Sequence, residues 1–323
     1  MPDVHFFGLD VEHISRVPKC NTHWTIYYND IGNFECHMSL ANEFVPIAIE
    51  RLQSQRPFIA RQDGQTAIII GYDANKDFCL YGRTCNWIMT KRITHKFAEV
   101  SDTPVALARK FVSDAFPDSF FSLGSTISTT NKISYAKDNM SRTFDCVKEV
   151  LDQKKYGHNV VVDVDRKKWY FNIIAGRELT LVLSEANRQA YDCRLTYDML
   201  DVATCGYYNK EVTVTDEEGN ESTETEVAYI SGIKTGLSRW EGILSGSTLG
   251  EASAELQKMK ANDSSAFSTV SLAYGVDYNL GDIIKTQIVK GAYRATIRKR
   301  VTGIELFFNE QGKSEKPIFE NEE

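Results

Sequence analysis

The residues that could carry chemistry are few and scattered. Seven cysteines (Cys20, Cys36, Cys79, Cys85, Cys146, Cys193 and Cys205) stand singly, with no Cys-x-x-Cys pair, so a structural zinc site has no sequence support. Nucleophilic pairs can be drawn: Cys79 or Cys85 with His95, or Cys146 with His158. Such a site needs a thiol and an imidazole within hydrogen-bond reach, a third group to orient the ring, and an oxyanion hole. The sequence offers none of these. Cys79 also lies between Phe78 and Leu80 in a strand pattern, so small buried hydrophobes are the favoured reading.

Carboxylates and histidines fare no better. Asp163 and Asp165 could form an acid–base pair, or a metal set with Asp201, but paired carboxylates need a cleft that shifts one of them. Arg166, Lys167 and Lys168 border this pair, which reads as a solvated hairpin turn. His5, His13, His23 and His37 share the N-terminal region without tight ligand spacing. Gly242–Gly250 has the glycines of a phosphate loop but lacks the Lys-Ser/Thr ending that holds phosphate and Mg²⁺. No catalytic residue, cofactor or metal site is expected.

The elements behind these residues are mostly strands. A chain of 323 residues, 42% hydrophobic and 25% charged, can bury a large core and form two or more domains. Its net charge of −7 argues against a dedicated nucleic-acid binder. No apolar run is long enough to cross a bilayer, and the start lacks a secretory signal, so synthesis in the cytoplasm is expected. Residues 4–98 read as β-rich, with hairpins turning at Asn29–Asn33 and Gln62–Gln65. Thr103-Pro104 caps a helix to Phe116, and Ser141–Lys154 is a second helix with Phe144, Val147, Val150 and Leu151 on one stripe. Two strands follow, at 159–164 and 169–174. A second β-rich region begins at Gly176-Arg177, echoing Gly82-Arg83 as a possible repeat. It holds an acidic hairpin tip at 216–226, a connector at 236–250 and a short helix at 251–260.

The stretch that organises the chain is Tyr274–Asp282. Gly275 and Gly281 can take positive φ, while Asp277, Asn279 and Asp282 can bond their own backbone and hold a turn. Ile283–Val289, Lys290-Gly291 and Tyr293–Val301 then read as a hairpin with one half-buried face. Its basic run, with Arg294, Arg298 and Arg300, has only Tyr293 as a nearby stacking aromatic. A solvated face, or contact with an acidic neighbour such as the 216–226 tip, is preferred to nucleic-acid binding.

The run Tyr274-x-x-Asp277-Tyr278-x-x-Gly281-Asp282 resembles the closing β segment of phage tail hub proteins, the tail-associated or baseplate-hub family. Residues 78–93 are similar to its strand-Gly-x-x-x-x-x-Leu/Ile-x-x-x-Arg signature. Residues 181–242 resemble its middle section through Ser184, Tyr208-Asn209, Arg239 and Glu241. The ordered similarity spans residues 66–310. It implies an α+β, mainly β chain with two tube-like β-barrel domains and an inserted mixed α/β part. The implied divisions are 1–98 for the first barrel, 99–176 for the mixed domain, and 177–235 with 267–312 for the second barrel. A loop-helix insertion at 236–266 and an acidic tail at 313–323 complete the chain.

The resemblance further implies a non-enzymatic homotrimer that joins a hexameric tail tube to a threefold spike or needle. Other baseplate proteins and the tape-measure protein would be neighbours. It implies neither a membrane anchor nor sequence-specific nucleic-acid binding. The protein would be made in the bacterial cytoplasm and assembled at the distal end of a tail. The short C-terminus resembles hubs of contractile tails, PBSX-type prophages and R-type bacteriocins. Tyr274, Asp277, Tyr278, Gly281 and Asp282 are the expected fold residues; Arg294, Arg298 and Arg300 are the expected interface. The alternatives are a tail-associated cell-wall hydrolase, or an adhesin for which Trp24, Trp87, Trp169 and Trp240 would have to be exposed.

Overall fold

A computed structural model describes residues 2–94, 97–137, 140–215, 221–232, 234–269 and 272–322. The fold is mainly β with a few helices, the class expected from the sequence. The chain forms two compact units, Met1–Ala190 with Thr269–Glu323, and Tyr191–Ser268.

In the first unit, alternation builds the sheet. Phe34, Cys36 and Met38 point inward from the strand Asn33–Met38 while Asn33 and Glu35 point out. The hairpin between Phe58–Gln62 and Gln65–Ala74 closes in two residues, Asp63 and Gly64, both at positive φ as a primed turn requires. Antiparallel pairing runs from Asn21–Tyr27 through Asn33–Met38, Phe78–Thr84, Gln65–Ala74, Phe58–Gln62 and Val4–Gly8 to His13–Val17.

One long strand, Tyr293–Asn309, serves two neighbours in succession. Its first half pairs with Ile283–Lys290, and its second half, from Gly303, pairs with Asn21–Tyr27. Its other edge takes Gly312–Asn321, and Glu178–Ser184 lies parallel beside Ile283–Lys290. Among the described residues this path is open, and no sheet closes into a barrel.

Three local readings change in this first unit. Phe44–Gln53 is a helix inside the region read as β; its β-branched residues and Pro46 hide it, and packing decides it. Asn42 Oδ1 accepts the Phe44 amide at its start, and Phe44 stacks 4.3 Å from Phe6. Gly312–Asn321, read as an acidic tail, is a strand, because the neighbouring strand supplies its backbone partners. Gly82-Arg83 lies within a strand whereas Gly176-Arg177 lies between two, so the dipeptides do not mark equivalent places.

The expected helices are Pro104–Ala115, capped by Thr103 through the Ala106 amide, and Thr143–Asp152. Their apolar faces share a core with Phe171, Val160 and Val162 of the small sheet formed by Phe121–Leu123, Lys168–Ile174 and Gly157–Asp163.

In the second unit, Cys205–Thr215 and Glu221–Ile230 form a long hairpin. Glu241–Leu244, in a stretch read as loop, pairs parallel to the hairpin's base; four residues are too few to show a period. The helix Leu249–Lys258 starts in a Thr248/Glu251 capping box, and its Ala252 packs against Tyr208 and Leu244.

Candidate functional site

The Tyr274–Asp282 stretch folds back on itself and then grips distant chain. The Gly275 amide donates to the Tyr278 carbonyl at 2.8 Å, and Asp277 accepts the Ala273 amide at 2.8 Å. The Tyr274 amide donates to Glu315 at 2.9 Å, and Tyr278 is fully buried. Asp282, 2% exposed, accepts the Arg177 amide at 2.8 Å and the Asn279 amide at 2.9 Å. The Arg177 guanidinium stands 3.5 Å away. A buried carboxylate is tolerable only with such donors.

Tyr28 is the second half of this junction, and no local pattern in the sequence marks it. Its hydroxyl donates to the Ile174 carbonyl at 3.0 Å and accepts the Gly176 amide at 3.1 Å. Burial raises the phenol above its ordinary value. A Cβ on Gly281 would stand 2.2 Å from the Tyr28 ring, and one on Gly176 would stand 1.6 Å from the Gly281 carbonyl. Both glycines are therefore required by close approach, and Gly281, at φ +87°, by its backbone conformation as well.

Arg300 completes the junction. It forks onto Glu322 at 2.8 and 2.9 Å, donates to the Gly281 carbonyl at 2.8 Å, and lies 5.8 Å above the Tyr28 ring. The Glu322 carboxyl is held below the usual carboxylate range by Arg300. A cleft of about 440 Å³ opens here, and each of its three cations has a carboxylate partner: Lys148 with Asp30, Lys155 and Arg300 with Glu322. This arrangement locks chain segments together; it does not present a free anion receptor.

The three arginines expected at an interface differ. Arg294 is exposed near the hairpin turn, Arg298 is exposed and 3.1 Å from Glu178, and Arg300 is largely buried in the junction. Residues 216–220 of the acidic tip lie outside the described residues.

The sheet register brings together a constellation that sequence spacing missed. His95, the histidine that could be drawn beside Cys79, lies outside the described residues; Cys79 faces His37, its direct cross-strand partner. The Cys79 Sγ is 3.6 Å from His37 Nε2, and His37 Nδ1 is 2.7 Å from Asp77 Oδ2. The order looks catalytic but the electrostatics do not. Burial, then Glu35 and Asp77, push the thiol up to about 11, so it is protonated at neutral pH. Only two strands known to be neighbours could have revealed this pair.

The other candidates are structural. Burial pushes the Cys85 thiol up to about 12, and Cys146 is in the core. His158 is fully buried between Phe144 and Phe171, and burial lowers it to about 3. Asp163 accepts the Arg166 amide at 2.9 Å within its turn, whereas Asp201 belongs to the second unit. His5 and His13 lie ring to ring at 6.2 Å, and His23 stacks on Phe307. Among the described residues no three His, Cys, Asp or Glu side chains form a metal-binding group. The amides of Ser245 and Gly246 donate to Glu255, and those of Ser247 and Thr248 to Glu251, so the chain's own carboxylates fill this loop's anion nest. Trp24 and Trp169 are buried, with indole donors on Gln62 and the Leu9 carbonyl; only Trp240 is exposed.

No protein-family model and no curated protein matches the sequence. Solved structures do. The 43 kDa tail protein of prophage MuSo2 from Shewanella oneidensis has a TM-score of 0.57 and 9% identity, covering 99% of this chain and 98% of that chain. The tail protein from Neisseria meningitidis MC58 has a TM-score of 0.53 and 9% identity, with 99% and 96% covered. Prophage tail protein gp18 from Listeria monocytogenes EGD-e has a TM-score of 0.53 and 12% identity, with 99% and 94% covered. At such identities the likeness is one of fold. From end to end the chain shares the fold of these phage tail proteins.

Proposed function

We propose that this protein is a structural hub of a phage tail or tail-like particle, joining a hexameric tube to a threefold spike or needle. One observation carries the reading: the fold likeness to the Shewanella prophage tail protein runs over 99% of this chain and 98% of that one. Two tube-like β parts, drawn from 1–98 and from 177–235 with 267–312, would give six copies in a trimer and so match a hexameric tube. The open sheet supports a ring. Its terminal strands, His13–Val17 and Glu178–Ser184, have no outer partner among the described residues. Closed assembly of copies buries such edges. The role is non-enzymatic, a reading favoured by the protonated Cys79 thiol and the buried His158.

Absolute mass by light scattering on a sizing column tests this. A stable mass near three chains, and a complex with the tube protein, are expected. A strict monomer at every concentration that also ignores the tube protein would sink the hub.

A further inference from the structure

The hairpin of the second unit is longer than its support. Its register continues from Asn209–Val227 to Thr215–Glu221, yet the small core under it takes only Tyr208, Ala228 and Ile230 from the hairpin. Beyond that base, Asn209, Lys210, Glu211, Thr213, Val214 and Thr215 are exposed on one strand, and Ser222–Val227 on the other. Glu241–Leu244 pairs only with Cys205–Tyr208. Both edges of the ribbon therefore lack a strand partner among the described residues. A two-stranded ribbon exposed on both faces is marginal in water, and its unpaired edges are templates for added strands. Its described strands carry Glu211, Glu221, Glu224 and Glu226 against the single Lys210.

The first unit offers the matching surface. Residues 283–300 contain six lysines and arginines and no acidic residue; Lys285, Lys290, Arg298 and Arg300 meet carboxylates of neighbouring segments, and Arg294 stands exposed at the edge. Between Tyr293 and Ile297 the long strand pairs only with Ile283–Lys290, because Gly312–Asn321 joins at Lys299. That edge is exposed at Tyr293, Arg294 and Thr296.

We propose that the acidic ribbon 209–215/221–227 of one copy adds to the basic 293–297 edge of a second copy, by backbone pairing with opposed charges. Charge complementarity selects the occupant. An acidic strand on this edge faces Arg294, whereas a basic strand is repelled by it. The contact is heterologous, one patch on each of two different surfaces, which is the kind that closes rings. It rests on the reading that copies of this chain assemble with one another.

The test uses the full chain and light scattering, with E211K/E224K/E226K as the ribbon variant and R294E/T296E as the edge variant. Each is expected to weaken association by at least about tenfold, and the native assembly is expected to weaken as salt rises from about 50 mM to about 500 mM. Combining both sets in one chain restores opposed charges and is expected to restore the mass. If the ribbon variant fails to fold by circular dichroism, the edge variant and salt series still carry the test. Native mass and salt response in both single-set variants would overturn the contact while leaving the ring reading intact. Loss in both without rescue in the combined chain would also overturn it. A native chain that never associates, even with tube protein present, would instead overturn the ring reading itself.

Discussion

At the scale of single residues, burial decides what each titratable group can do. His158 is held neutral: its Nδ1 side meets Asn29 Oδ1, and its buried Nε2 has no acceptor. Its folded value, about 3, lies below the ordinary 6.5. A lowered histidine contributes stability that is present above 6.5 and lost as pH falls toward the folded value, at up to about 1.4 kcal/mol per pH unit. Unfolding free energies at pH 7.5 and pH 5 should show this slope, and His158→Gln should lose it. Equal slopes in the two proteins would refute the assignment. Cys79 gives a second test. With its thiol near 11 against an ordinary 9.0, its thiolate fraction at neutral pH falls on the order of 100-fold, and alkylation should slow accordingly. Labelling of Cys79 at the rate of an unperturbed thiol would revive the Cys79–His37–Asp77 nucleophile.

At the scale of elements, two glycines with the same backbone demand have different surroundings. Gly275 has φ +83° and open space around the site of a Cβ; Gly281 has φ +87° and the Tyr28 ring in the way. Gly275→Ala should cost about 1 kcal/mol from backbone strain alone. Gly281→Ala should cost about 2–4 kcal/mol, because the ring cannot retreat while its hydroxyl holds the Ile174–Gly176 crossing. Urea unfolding of the two variants compares them directly, and equal losses would show that Tyr28 yields. The turn itself was legible in the sequence, because Gly, Asp and Asn act on their own backbone. Tyr28 was not: its partners lie 127 to 148 residues away. The same holds for Phe44–Gln53 and Gly312–Asn321, whose structures depend on Phe6 and on the neighbouring long strand.

At the scale of the molecule, the likeness in fold extends over whole tail proteins at 9–12% identity. Such likeness survives sequence change because layers and strand order tolerate any residues of the right polarity and size. The assembly proposed above belongs to this scale, and the mass and salt series test it. Local chemistry in the sequence determined the mainly β class, the capped helices, the Tyr274–Asp282 turn and the hairpin after it. Each depends on neighbours within a few residues. Only the tertiary structure decided the open path of the sheet, the double use of Tyr293–Asn309, the Tyr28–Asp282–Arg300 junction and the meeting of His37 with Cys79. These depend on which strands become neighbours, and that choice is made by burying side chains from the whole chain at once.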